Sequence, residues 1–188
     1  MKLEAGYQAR IENQFEWNDV HWYTAEESYE PSPASEYYTE SIFNREIHSA
    51  YSTFSNGGEV FGYNLGLRTE YTNRSIDYSG ADEPYVINRW DLFPSAHFSF
   101  NLPAKQQIIT SYSRRIERPR GYYLEPFKTY SDAYNIRQGN PAIEPEYIDS
   151  YELGYQKQLT KGFLSAEIYH RKTNNKIETL VIGKAEGG

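Results

Sequence analysis

Apolar and polar positions alternate with a period of two along most of the chain. Leu3, Ala5, Tyr7, Ala9 and Ile11 fall on one side of the first run, and Lys2, Glu4, Gly6, Gln8, Arg10 and Glu12 on the other. A strand sorts these residues completely, whereas a helix scatters them around its circumference. Phe61, Tyr63, Leu65, Leu67, Thr69 and Tyr71 repeat the pattern against Val60, Gly62, Asn64, Gly66, Arg68 and Glu70. Looser runs cover residues 43–54 (through Ile47, Ser49, Tyr51 and Thr53), 89–102, 106–116, 147–159 and 163–182. Pro94 falls inside the 89–102 run, making it a weaker strand or a bulged one. Asn174-Asn175 marks a break in the last run. The pattern predicts an all-β fold, an antiparallel up-and-down meander of about seven strands.

The connections sharpen that prediction. Short turns near residues 55–58, 103–105 and 160–162, with Gly or Pro to supply the special backbone angles, alternate with long loops at 18–41, 73–88 and 117–146. Short turns at one end and long loops at the other are the construction of an outer-membrane barrel, with the long loops outside. A soluble sandwich has turn signals at more even spacing. On this reading residues 1–188 form part of a larger transmembrane β-barrel.

Composition agrees. The chain is 38% hydrophobic, low for a soluble core, yet 16% aromatic with 19 tyrosines. Tyrosine, with an apolar ring and a polar tip, suits a boundary between lipid and water. A net charge of −7 argues against a nucleic-acid partner. The absence of cysteine excludes disulfides and thiolate metal sites. No run approaches the roughly 18 apolar residues of a membrane helix, so any crossing must be made by strands.

Residues 112–155 carry a more specific signal. Arg115, Ile116, Arg118 and Pro119 close one strand, and Leu124, Pro126, Phe127 and Asp132 follow. Gly139, Asn140, Pro141, Pro145 and Glu146 then lead into Tyr151, Glu152, Leu153, Gly154 and Tyr155. This succession resembles the signature of TonB-dependent receptor barrels, particularly the outer membrane protein β-barrel family common in Bacteroidetes. Departures are small, with Glu125 in place of the usual Asn and Ile143 in place of the usual Leu. The resemblance implies a Gram-negative outer-membrane receptor, lipid contact, and import of a scarce ligand driven by the TonB system through a plug domain. No plug sequence or TonB box is legible in these residues, so a barrel-wall fragment is expected, able to self-associate through its strand edges. The motif itself reads as structural. Pro119 biases Arg118 to extended geometry, and Gly139-Asn140-Pro141 is a turn in which Gly accepts positive φ.

Other chemistry is sparse. In the acidic loop 18–41, Trp22, Tyr23, Glu26, Glu27, Tyr37 and Tyr38 are candidates for ligand contact, since carboxylates beside rings hold hydroxylated or cationic groups. The four histidines have no close-spaced ligand pair, so no metal, cofactor or catalytic residue is expected. His97 with Ser95 and Ser99, or His48 with Ser49, are the combinations a barrel enzyme would use. Arg114 and Arg115 are adjacent, so one faces in and one out, and both must lie near or above the membrane interface. That places Trp90, Phe98, Phe100 and Tyr112 as girdle or lipid-contact candidates. A soluble aromatic-rich β-module binding glycans is the alternative, and a mean hydropathy of −0.80 suits it better.

Overall fold

The computed structural model describes residues 1–19, 38–130 and 135–183. Seven strands lie side by side in an antiparallel sheet, in the order of the chain: β1 (Lys2–Asn18), β2 (Thr39–Gly57), β3 (Phe61–Tyr78), β4 (Tyr85–Leu102), β5 (Gln106–Glu117), β8 (Glu146–Leu159) and β9 (Gly162–Asn174). The connection from β5 to β8 holds a single helical turn, α1 (Gly121–Leu124), and a small hairpin of β6 (Lys128–Tyr130) with β7 (Ile136–Gln138). This is the all-β meander that the alternation predicts.

The strands are longer than the apolar alternation alone indicates. The 73–88 loop contracts to residues 79–84, because β3 continues to Tyr78 and β4 begins at Tyr85. The last strand ends at Asn174, and Asn175 takes a left-handed φ of 56°. The first tight turn lies past Gly57, where Gly58 N donates to Phe61 O at 2.9 Å. In the second, Ala104 and Lys105 adopt φ of 59° and 54°, so neither Pro nor Gly supplies the left-handed angles there. Pairing with Gly162 leaves Thr160 and Lys161 as the third turn.

Register sorts the side chains into two faces of opposite chemistry. One face carries Leu3, Tyr7 and Ile11 of β1, His48 and Phe54 of β2, Leu65, Leu67 and Tyr71 of β3, Trp90, Leu92 and Phe98 of β4, and Leu153 and Ile168 of β8 and β9. Its large apolar residues are exposed, Leu67 at 49% and Trp90 at 69%. The other face buries Ser49, Glu70, Thr72, Arg74 and Asp91. Polar residues inside and apolar residues outside invert the soluble arrangement, and a lipid surround makes the exposed rows favourable. The apolar rows do not pack into a second layer, contrary to what the soluble alternative requires.

On the outward face the rings gather in two levels. Tyr7 and His48 stack, with Tyr7 Oη 2.6 Å from His48 Nδ1. Tyr71 packs on Trp90, Tyr112 on Tyr151, and Tyr151 on His170. Nearer the tight turns, Phe54 meets Tyr63, and Phe61 meets Phe98 and Phe100. Aliphatic residues fill the space between. From Tyr71 to Phe61 the strand runs about 34 Å, or about 26 Å across a bilayer at a tilt of about 40°, close to the usual apolar band. Above Tyr71 the outward positions become Asn73, Ser75 and Asp77, so β3 continues into water.

Candidate functional site

Pro94 shapes the site. Pairing of β3 to β4 runs straight through it, Leu67 opposite Pro94, with no bulge. The ladder from β4 to β5 stops at Ser95–Ser113, one residue after the proline. Proline lacks the N–H that would face β5 at this position, so the β4–β5 ladder loses a rung where it ends. β5 stays paired to β8 as far as Glu117–Glu146. The freed end of this pair rolls across the inner face. Tyr147, which by alternation belongs to the outward row of Tyr151 and Leu153, donates its hydroxyl hydrogen bond to Asp91 of the inward row.

The loop that follows, residues 118–145, is thereby carried over the inner face of β2–β4 and fastened there. Arg118 pairs with Glu70, which is 2% exposed and also pairs with Arg68. Ser49 Oγ donates to the same carboxylate at 3.3 Å, and Arg118 reaches Thr72 Oγ1 at 3.5 Å. Leu124 is 1% exposed and packs with Phe43, Ile76 and Ile143. Arg74 donates to Pro141 O at 2.7 Å, tying the far limb of the loop to β3. Asp91 receives Arg89 Nε at 3.2 Å besides Tyr147. The buried carboxylates Glu70 and Asp91 thus each meet a guanidinium group, as a low-dielectric interior requires.

The motif residues build the loop's own frame. Gly139 N donates to Glu125 O and Asn140 N to Tyr123 O, both at 2.7 Å. A Cβ at Gly139 would lie 2.5 Å from Tyr123 O and 2.7 Å from Glu125 O. Close backbone approach therefore demands this glycine; positive φ, expected from the sequence, is not adopted there. Asn140 Oδ1 accepts from Ala142 N at 2.9 Å and sets the turn into Pro141. Pro126 O accepts from Gln138 Nε2 at 2.7 Å, and Pro119 and Pro145 are buried at the two necks of the loop. Glu146 Oε1 accepts from Ile177 N at 2.7 Å. Glu125 sits between Arg137, 3.2 Å away, and Glu16. Burial, then the hydrogen bond and repulsion from Glu16, push its carboxyl above the ordinary range against the pull of Arg137.

The remaining expectations divide. Glu152 accepts from Ser111 Oγ at 2.9 Å on the inner face, and Tyr155 bonds Gln106 on the outer one. Gly154 has no close neighbour requiring it, Phe127 is half-buried, and Arg115 is exposed. Arg114 binds Asp149 through two bonds of 2.8 and 3.0 Å. Trp22, Tyr23, Glu26, Glu27, Tyr37 and Asp132 lie outside the described residues. Tyr38 is placed at the foot of β2 and donates to Glu40 Oε2 at 3.1 Å. His48 and Ser49 point to opposite faces, which removes that pair as a catalytic combination. Among the described residues no group of three or more His, Cys, Asp or Glu is placed to hold a metal ion. Sequence reasoning missed Glu70, Arg74, Asp91 and Phe43 as partners of the motif. The signal available was charge at three of the four consecutive inward positions of β3 from Arg68 to Arg74, and again at Arg89 and Asp91 of β4.

The whole chain, residues 1–188, matches a family described as the outer membrane protein beta-barrel family. The chain belongs to that family. No curated protein matches it. As a member of an outer-membrane barrel family, the protein resides in the Gram-negative outer membrane, consistent with a face whose apolar rows lie exposed between two levels of rings. The described sheet is an open section of barrel wall, with β1 and β9 as its edges.

Proposed function

We propose that the protein is the wall of a TonB-dependent receptor, of the type common in Bacteroidetes, that imports a scarce ligand across the outer membrane. One observation carries the reading. The residues on which the resemblance rests, Arg118, Pro119, Leu124, Gly139, Asn140 and Pro141, are those that fasten a long loop across the inner face instead of leaving it in solvent. A wall whose mouth is partly covered by its own loop suits a receptor that admits one bound ligand at a time better than an open pore. Energy would reach it from the TonB system through a plug domain, and lipid is the partner of its outward face. The barrel is assigned no catalytic chemistry.

The test is association with the periplasmic domain of TonB. Protein extracted from outer membranes in mild detergent should form an equimolar complex with that domain, read by sedimentation or size-exclusion light scattering. Failure to form a complex, with the barrel folded, would remove the receptor reading and leave the barrel assignment standing.

A further inference from the structure

Beneath the first limb of the loop lies a cleft of about 360 Å³, walled by β1 and β2 on one side and residues 117–121 on the other. Arg10, Glu12, Arg45, Glu117, Arg118 and Arg120 supply its charged lining. Four guanidinium groups therefore face two carboxylates. Glu12 is already engaged by Arg45, and Arg118 is directed at Glu70 outside the cleft. The Nε atoms of Arg45 and Arg118 are buried and unpartnered. Buried N–H groups of this kind are normally satisfied, and leaving them open costs free energy. The imbalance extends behind the cleft. Arg45 stands directly opposite Arg74 in the register of β2 and β3, a like-charge pair, and Arg74 is only 7% exposed. Arg10 and Arg120 are exposed at the cleft and form no ion pair with another described residue.

We infer that this cleft is a binding site for a small oxyanion, a carboxylate or phosphate compound, held by Arg10, Arg45, Arg118 and Arg120. The planar guanidinium fork matches the geometry of both groups and favours them over a neutral ligand. The volume is at the small end of ligand sites and suits a metabolite-sized anion. The charged lining is gathered between a sheet and the chain's own loop over a space the size of a small anion. The site stands on inner-face geometry alone, so failure of TonB binding would leave it unaffected.

Citrate and pyrophosphate serve as probes, titrated by calorimetry into the protein extracted from outer membranes, in detergent at low salt and without phosphate. Saturable binding of either anion, weakened by added sodium chloride, is expected, and the stronger of the two identifies the oxyanion. The Arg10→Gln, Arg120→Gln double variant alters only exposed side chains, so it should fold, as heat-shifted electrophoretic mobility will show. Its affinity should fall about tenfold or more. The inference is overturned if neither anion binds saturably, or if the folded double variant binds as tightly as the unaltered protein.

Discussion

Replacing Leu124 by alanine isolates the hydrophobic share of loop docking. The side chain is 1% exposed and packs, among the described residues, in a small cluster with Phe43, Ile76 and Ile143. Leucine-to-alanine changes in closed cores cost about 2–5 kcal/mol, the lower values occurring where surroundings collapse into the space. A loop resting on a sheet can settle, so about 2–3 kcal/mol is expected. The ion pair of Arg118 with Glu70 and the bond from Arg74 to Pro141 O remain. The loop therefore opens more often without being lost, and its undocked population rises about 30- to 150-fold. Trypsin reads this directly. Lys128 and Arg137 are exposed but lie in β6 and β7, whose ladder must open before a protease can seat an extended segment. Where opening is fast relative to cleavage, the rate follows the open population. Cleavage after these two residues should accelerate by that factor, with heat-shifted mobility of the barrel unchanged. A rate within about threefold of the unaltered protein would mean that Leu124 is buried without holding anything, and the docking argument would fail.

Further perturbations probe the other faces. Leu67→Arg puts a charge midway between the two levels of rings and should destabilise the folded barrel in bilayers by about 2–4 kcal/mol, whereas Asn73→Arg, above the upper rings, should cost at most about 1 kcal/mol; denaturant titration in liposomes gives both, and equal costs would refute the assignment of the outward face. Gly139→Ala forces a Cβ onto Tyr123 O and Glu125 O, so it should raise tryptic cleavage of the loop at least as much as Leu124→Ala, and unchanged protection would show that the backbone yields there. The raised carboxyl of Glu125 means the docked loop binds more protons than the undocked one. Docking should therefore be strongest below the ordinary glutamate range and weaken as pH rises above it through the raised value, and Glu125→Gln should flatten this dependence of protease protection.

How far the sequence revealed this arrangement depends on what each pattern reports. Outward apolar residues in β3 end at Tyr71, and the sequence reading ended its strand there. The strand itself continues through Asn73, Ser75 and Asp77 to Tyr78, paired with β2 and β4 for most of that length. Alternation of apolar with polar residues measures the thickness of lipid to be crossed, whereas hydrogen bonding to neighbours decides where a strand stops. The same distinction moved the start of β4 from residue 89 to Tyr85. The motif residues were legible, but their partners were not. Arg118 finds Glu70 and Pro141 finds Arg74 across 48 and 67 positions of chain, and no local propensity records such pairings. The turn at 103–105 was legible, but the carriers of its left-handed angles were not: they fall on Ala104 and Lys105, where such angles cost about 1–2 kcal/mol per residue outside glycine, and the long ladder of β4 with β5 imposes them.

The proline explains why a loop this long does not simply project into water. An N–H at residue 94 would face β5 and restore a rung at the place where the β4–β5 ladder ends, favouring a β5–β8 pair that continues as ordinary wall, with Tyr147 facing outward alongside Tyr151. Because the ladder ends, that pair can roll inward, and the charges of the inner face then decide where it comes to rest. Such buried pairs add little net stability, since desolvation offsets most of their attraction. Their contribution is selectivity among resting positions: Glu70 has Arg68 and Asp91 has Arg89 within the sheet itself, and the docked position is the one in which Arg118 and Tyr147 join them. A missing donor in the wall, two buried carboxylates beside it, the Leu124 cluster and the bond from Arg74 to Pro141 O together hold an otherwise external loop against the barrel's inner face.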